Sequence, residues 1–504
     1  MRIGFRLCFG IAAVLAACSV INKFDPLKDV EPDAGIAGSA GLAGAGGSVA
    51  GTDAGGSSGS GAGTAGTSNG GSSGTGTSGT GGEAGAPSEP ITGGLIVVAT
   101  HDTAVPPQYS LVMLDPTSAA EIATTKINTI AKAKTTIHAV AYDSVSDKWF
   151  VFTGPLGKGV TGELLVGSMF TDGFHIEDSA TNIPQPTDQI VVAMLNKRIL
   201  YRSTTHTGSM ASVDDGLTLL DTNASPPKAI GTMTIPFAQS VISMVGRPAT
   251  GTVAGGRAFI LHGNSGVATN CSPEDGGAVQ QDSCSFEYSA PQVLAADLGT
   301  LTPPTPAVVG VEDQNGSQPG LAVQPGNNGN IAAIIAPPLS SNNTTPSGSI
   351  YLYSSGTGAR TTDPVLPFPM GMVSSVTASI AIAGVAIDNC YNIAMTGELA
   401  NTKRIYAISL VAGGSTSSIL PNSKNGTVGQ LTFEPYTGTL IHNVNDLMNP
   451  TFEGFELHGT EMAPTFVQRG KGGAKPWSPP IGLVPLIVVT KMPASFATCP
   501  VLPP

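Results

Sequence analysis

Charge is scarce in this 504-residue chain, where only 12% of residues are Asp, Glu, Lys or Arg. Positive charge is scarcest: 23 Lys and Arg stand against 35 Asp and Glu, for a formal net charge of -12. A protein that neutralises nucleic-acid phosphates needs the reverse balance, so nucleic acid is excluded as a partner. Electrostatic attachment to an anionic membrane surface is disfavoured for the same reason. Aromatics are 5% of residues, with two tryptophans, Trp149 and Trp477. Beyond residue 18 no apolar run reaches the roughly 20 residues of a transmembrane helix without a Gly, Pro or polar break. What the chain has instead is 65 glycines and 39 prolines. Many turn formers with little charge suit an all-β protein better than a helical one.

The N-terminus carries an address. Arg2 and Arg6 precede a short apolar run, Leu7 to Val14, which ends in Leu15-Ala16-Ala17-Cys18. The run is too short to span a bilayer and has the layout of a secretory signal peptide. Its last four residues resemble a bacterial lipobox. The resemblance covers about the first 18 residues and implies cleavage after Ala17, leaving a lipid-modified Cys18 with a diacylated thioether and an acylated N-terminus. Two or more acyl chains hold a protein to a bilayer nearly permanently. Ser19 rather than Asp follows the cysteine, and by the same resemblance nothing retains the protein at the inner membrane. The expected location is the cell envelope, lipid-anchored at the outer membrane and facing the periplasm or the exterior. Loss of Arg2 and Arg6 makes the mature chain two charges more negative. Four cysteines then remain beyond Cys18, namely Cys271, Cys284, Cys390 and Cys499. An even number in an exported protein predicts two disulfides. We pair Cys271 with Cys284 across a short loop, and Cys390 with Cys499 across a long one.

Residues 18–33 form an anchor-proximal segment. From Ala34 to Pro90 the chain is almost wholly Gly, Ala, Ser and Thr and lacks aromatics. Such a stretch cannot bury enough apolar surface to offset its ordering entropy, so it is expected to be a disordered tether. Its root-mean-square reach is on the order of 40 Å. It also generates false motifs. Gly61 to Gly66 and Gly74 to Gly79 fit GxGxxG, and Gly70-Gly71-Ser72-Ser73-Gly74 fits GxSxG. No strand precedes them and no helix follows, so the strand-turn-helix that gives each motif its chemistry is missing.

Residue 91 opens a repeating body. Apolar strands recur as Leu95–Thr100, Trp149–Phe152, Arg198–Arg202, Arg257–His262, Asn330–Ala336, Tyr391–Thr396 and Thr439–Asn443. Each is followed by another, from Tyr109–Leu114 to Phe452–Leu457, and six are preceded by a leading strand such as Ile137–Tyr142 or Gln189–Met194. The period is about 50–57 residues with one gap of about 75, which predicts a β-propeller. The first unit lacks a leading strand. Ile481–Thr490, IGLVPLIVVT, is a β-rich run without a unit of its own. Placing it in the first blade closes the ring and hides two strand edges. The expected fold is therefore a seven-bladed propeller over 91–495, closed by its C-terminal strand, with a tail at 496–504.

The turns agree. Glu434-Pro435-Tyr436-Thr437-Gly438 and Asp115-Pro116-Thr117-Ser118 resemble the acidic-Pro-x-Thr-Gly turns of bacterial propeller repeats, a likeness of architecture that selects no family. WD40 and kelch signatures are absent, and two tryptophans are too few for a quinoprotein dehydrogenase. Ser212 to Leu219 resembles a sialidase Asp-box but ends in Leu219 rather than an aromatic, occurs once, and is in any case a structural turn.

No catalytic or metal-binding set emerges. The seven histidines are His101, His138, His175, His206, His262, His442 and His458, and no two have metal-ligand spacing. Asp313-Gln314-Asn315-Gly316-Ser317 offers oxygen ligands but lacks the later acidic residue of a calcium loop. Asp143, Gln324, Asp388 and Glu434 each fall just past a leading strand. Recurrence at one place in four units marks them as turn residues rather than one asymmetric site. The acidic excursion Gly263–Pro291, with Cys271 and Cys284, accounts for the long gap; long loops on rigid scaffolds often bind. No cofactor is expected. The functional expectation is a binding or scaffold module for a protein or glycan, with a hydrolase or lyase at a central funnel as the alternative.

Overall fold

The computed structural model describes residues 88–504 apart from 103, 105, 131–135, 156–160, 187–188, 190–191, 196, 204–215, 235–240, 248–255, 263–265, 270–284, 289–291, 298–306, 312–319, 325–330, 337–348, 355–358, 360–365, 368–381, 389, 399–403, 420–426, 446–450, 472–475, 482, 484 and 493–501. Cys18, the segments 1–17 and 18–33 and the tether as far as residue 87 lie outside the described residues, as do Cys271, Cys284 and Cys499.

The strands come in groups. The first is β1 (Ile96–His101), β2 (Tyr109–Leu114) and β3 (Glu121–Lys126). Next come β4 (Thr136–Asp143), β5 (Lys148–Gly154), β6 (Thr161–Phe170) and β7 (Gly173–Pro184). A third group is β8 (Val192–Leu195), β9 (Arg198–Arg202), β10 (Gly216–Asp221) and β11 (Lys228–Thr234). The fourth, β12 (Val241–Arg247), β13 (Arg257–His262), β16 (Gln292–Asp297) and β17 (Ala307–Val311), is interrupted by a hairpin of β14 (Gly266–Thr269) and β15 (Ser285–Tyr288). Then follow β18 (Gly320–Val323), β19 (Ile331–Ala336), β20 (Ser349–Ser354) and β21 (Leu366–Pro367). The sixth group is β22 (Ile382–Ile387), β23 (Ile393–Glu398), β24 (Ile405–Ser409) and β25 (Thr416–Ile419). The seventh is β26 (Thr427–Glu434), β27 (Thr439–Asn445), β28 (Thr451–Thr460) and β29 (Ala463–Gln468), with β30 (Pro485–Thr490) last.

Among the described residues these strands make seven four-stranded antiparallel sheets and the β14–β15 ribbon. Six sheets run in chain order from a leading strand outward. The remaining sheet has the order β3-β2-β1-β30, with Ile96 opposite Thr490 and Val98 opposite Val488. The leading strands β4, β8, β12, β18, β22, β26 and β30 touch in succession, and β30 touches β4. The protein is thus all-β, built of four-stranded antiparallel sheets in a propeller-like arrangement.

Residue alternation explains the packing. Successive side chains of a strand point to opposite faces. Leu95, Val97 and Ala99 pack with Val140, Trp149 and Val151 of the next sheet, while Ile96 and Val98 pack with Ile441 and Phe452 of the β26–β29 sheet. Trp149 and Val151 likewise face backward, and Phe150 and Phe152 face forward onto Ile199 and Tyr201. Strands sandwiched on both faces read as continuous apolar runs. Each large side chain so buried contributes roughly 1.5–3 kcal/mol.

Several boundaries differ from the sequence reading. The leading strand expected at Gln189–Met194 is Val192–Leu195, and Gln189 ahead of it bonds through its side chain to Val140 of the neighbouring sheet. The closing run expected from Ile481 begins at Pro485, and Ile481 is fully exposed in the preceding loop. At the other end Pro90, expected in the tether, bridges to Phe170, and Thr171 N donates to the Glu89 carbonyl at 2.9 Å.

Candidate functional site: the central channel and its turn-bearing mouth

A cavity of about 330 Å³ lies where the leading strands meet. Each contributes an apolar residue: Val140, Val192, Val245, Ala322, Ile387, Phe433 and Val488. On β22 and β30 the lining reaches the last residue of the strand and on β4 and β26 the residue before the last, so the cavity lies toward the end where these strands finish.

Leading strands present a bare backbone edge to the channel, which invites strand pairing. Side chains blunt it. Gln189 Oε1 accepts the Val140 N–H, and Gln189 Nε2 donates to the Val140 carbonyl, both at 2.9 Å. Thr432 Oγ1 donates to the Val488 carbonyl at 3.3 Å and Thr490 Oγ1 to the Phe433 carbonyl at 2.9 Å. Among the described residues the wall carries no carboxylate, histidine or lysine.

The carboxylates near the mouth are committed to turns. Asp143 Oδ1 accepts from Val145 N at 3.0 Å, and its Oδ2 from Ser146 Oγ at 2.7 Å. Asp388 Oδ1 accepts from the backbone of Cys390 and Tyr391, each at 2.7 Å. Glu434 accepts from Tyr436 N at 3.0 Å and Thr437 N at 2.8 Å. Gln324 Nε2 donates to the Tyr391 carbonyl at 3.2 Å. The three carboxylates replace ladder partners for the N–H groups at the bend, whereas Gln324, expected as a turn residue, donates instead to a residue of the next sheet. The fifth residue of two turns is left-handed, Asp147 at φ 53° and Gly438 at φ 65°, positions suited to Asp and Gly. The carboxylates therefore stand on separate sheets and do not converge.

Burial raises the Asp388 carboxyl to about 6, against the pull of its two turn N–H groups. Burial also raises Glu434, opposed by its bonds to Thr437 and Tyr436. One further cluster stands at the mouth. Lys491 Nζ lies 2.8 Å from Asp147 Oδ1 and donates to the Ile91 carbonyl at 2.7 Å. Tyr142 Oη donates to the same Asp147 oxygen at 2.8 Å. Burial and that carboxylate raise the Tyr142 phenol, while for Asp147 the bonds from Lys491 and Tyr142 outweigh burial and lower it. Tyr142 thus stays protonated and Asp147 ionised at neutral pH, so neither is poised to move a proton.

The histidines are dispersed. His138 Nε2 contacts the Gly154 carbonyl, His175 pairs with Asp172, and His442 is buried beside Glu453. His206 lies outside the described residues. Among the described residues no three His, Cys, Asp or Glu are grouped to hold a metal. Cys390 is disulfide-bonded, to a partner outside the described residues. The tail beyond Cys499 returns to that neighbourhood: Leu502, like Tyr391, packs against the cluster of Ile393, Ala407 and Leu457, and Gly459 N donates to the Pro503 carbonyl at 2.7 Å.

The turn end also exposes apolar side chains. Val145 is 48% exposed, Tyr436 39% and Met462 45%. Sequence reasoning passed over all three, since isolated apolar residues in turns carry no periodic signal.

The class these features define is an all-β, propeller-like protein. The sequence matches no protein-family model and no curated protein. Among solved structures, a provisionally assigned 6-phosphogluconolactonase from Bacteroides fragilis is similar, with 11% identity, 80% of this chain and 99% of that chain covered, and a TM-score of 0.43. Apo AztD from Citrobacter koseri shares 10% identity over 79% of this chain and 98% of its own, with a TM-score of 0.39. Sqt1 from Chaetomium thermophilum, bound to the N-terminus of ribosomal protein L10, shares 12% over 69% and 77%, with a TM-score of 0.39. Neither activity nor ligand follows from likeness at this level.

Proposed function

We propose that the seven sheets are the blades of one seven-bladed β-propeller, closed by β30 in the first blade, and that the protein is a non-catalytic binding module for a protein or glycan. One observation carries this reading: among the described residues the channel wall carries no carboxylate, histidine or lysine, and the carboxylates nearest it are spent on turns. An enzyme would need acid, base or nucleophile converging on one point. The module is held in the cell envelope by a lipid on Cys18, and the 34–90 tether lets the rigid domain search for partners away from the bilayer. The lipobox and the composition of the tether support this.

One feature favours the hydrolase or lyase reading, namely Asp388, which titrates near neutrality beside the channel residue Ile387. The test uses the full chain, screened against envelope glycans and peptides, with bound material recovered and weighed by mass spectrometry. Ligand returned intact, with binding retained in Asp388→Asn, is expected. Cleaved ligand, with cleavage lost in Asp388→Asn, would sink the proposal. For the anchor, Cys18→Ala is expected to leave the membrane fraction in a detergent-free wash, and its retention there would contradict lipidation.

A further inference from the structure

We infer that Pro476–Ile481 is a docking segment for a partner protein whose groove is lined by aromatic side chains. This rests on the binding-module reading and selects protein over glycan.

The segment, PWSPPI, lies between β29 and β30, outside helix and strand. Each proline fixes its own φ, and Ser478 and Pro479 are held extended because a proline follows each. These restraints favour polyproline II, a helix of about three residues per turn. Burial follows that period. Trp477 and Pro480 are half-buried on one row, while Ser478 and Ile481 are exposed on another. One row therefore faces the protein and one faces water.

The inward row is anchored. Trp477 stacks on Phe452 with ring centroids 5.9 Å apart, and its Nε1 donates to the Phe452 carbonyl at 3.0 Å. The Arg469 guanidinium lies 5.6 Å from the same ring. Gly454 makes room for the indole, since a Cβ there would come within 2.8 Å of it. Ser478 N donates to the Ser118 carbonyl at 2.7 Å, which ties the segment to the first sheet. Leu483 N donates to the Pro480 carbonyl at 3.4 Å and closes a turn with Ile481 on it. Ile481 is fully exposed, whereas the next most exposed large apolar side chain among the described residues, Val145, is 48% exposed.

The outward surface is apolar and poor in donors. Pro476, Pro479 and Pro480 have no N–H, and the Ser478 N–H is spent on Ser118. What remains is pyrrolidine rings, an isoleucine, carbonyls and one serine hydroxyl. Aromatic-lined grooves read such a surface by packing on the rings and donating to the carbonyls. A glycan, rich in hydroxyl donors and acceptors, would find few donors in return. A segment already held extended also loses little entropy on docking.

The test is photocrosslinking of the full chain in the envelope of its own cells, with p-benzoylphenylalanine substituted for the exposed Ser478. A protein adduct is expected, and sequencing of its partner-side peptide should find Trp or Tyr. Adding Ile481→Asp or Pro479→Ala is expected to lower the adduct yield roughly fivefold or more. If Pro479→Ala fails to fold, Ile481→Asp carries the test, because that side chain is fully exposed and its loss should leave the melting temperature unchanged. No protein adduct, a partner peptide without aromatic residues, or a yield unchanged by the substitutions would overturn the docking segment. An adduct to glycan alone would overturn it and leave the binding-module reading standing. Ligand cleavage lost in Asp388→Asn would instead overturn that reading.

Discussion

Lys491 reaches across from the end of β30 to Asp147, with Nζ 2.8 Å from Oδ1. Three other leading strands end at a carboxylate that caps the following turn: Asp143, Asp388 and Glu434. The first sheet draws β30 and β1 from opposite ends of the chain, so no turn follows β30 and no N–H groups need capping. A cation stands in that place instead. Lys491 N donates to the Leu95 carbonyl at 2.8 Å, its ammonium serves the Ile91 carbonyl and Asp147, and it lies 5.8 Å from the Tyr142 ring.

Lys491→Ala is expected to lower the unfolding free energy by about 1–2 kcal/mol, through the lost bond to a half-buried carbonyl and lost packing. Asp147→Asn keeps a residue tolerant of the left-handed backbone and an oxygen for the Tyr142 hydroxyl and the Lys491 ammonium, and removes a charge that is itself exposed, so it should cost under about 1 kcal/mol. Urea unfolding of the two variants checks this. Equal losses would show that the ion pair, rather than the buried donor, holds the seam.

Asp388 predicts a pH dependence. Its folded value near 6 lies above its ordinary 3.8, so the folded state binds more protons than the unfolded state between those values. Stability from this group is present below about pH 4 and is lost as pH rises through 6, a change on the order of 3 kcal/mol. Asp388→Asn retains an oxygen for the Cys390 and Tyr391 N–H groups but does not ionise. The variant is expected to be more stable than the wild type at pH 7 and to lose the slope between pH 4 and 6. Parallel pH profiles for the two proteins would contradict this.

The disulfides are expected to be Cys390–Cys499 and Cys271–Cys284. The first is supported by the packing of Leu502 against the same cluster as Tyr391, and the second by the β14–β15 hairpin, whose register ends at Thr269 opposite Ser285. Closure between Cys390 and Cys499 is worth roughly 4–5 kcal/mol in the chain-entropy model. Peptide mapping without reduction reads the pairs directly, and crossed pairs or free thiols would show the assignment wrong.

The sequence disclosed the inner three strands of each repeat and not the fourth. LIVVAT and KWFVF are sandwiched between sheets, and their apolar runs follow from that. The outermost β3, EIATTK, has an alternating exposed pattern, and β25, TSSI, is half-buried throughout. Strands with one face and one edge in water need few apolar residues, so they look like loops. The acidic turns were legible because Glu434-Pro435-Tyr436-Thr437-Gly438 writes its geometry in residue types. The Lys491–Asp147 contact was not, since it joins residues from different sheets, and neither were the side chains that blunt the channel edge.

Hydrogen exchange on β1 in a chain truncated before Ile481 tests the central claim, a single ring closed by β30, most directly. In the full chain, amides of residues 96–101 are bonded within a sheet flanked by β2 and β30. The account predicts that truncation abolishes slow exchange across β1 and lowers the melting temperature of the whole body. Unchanged protection of β1 with unchanged melting would contradict the closed ring.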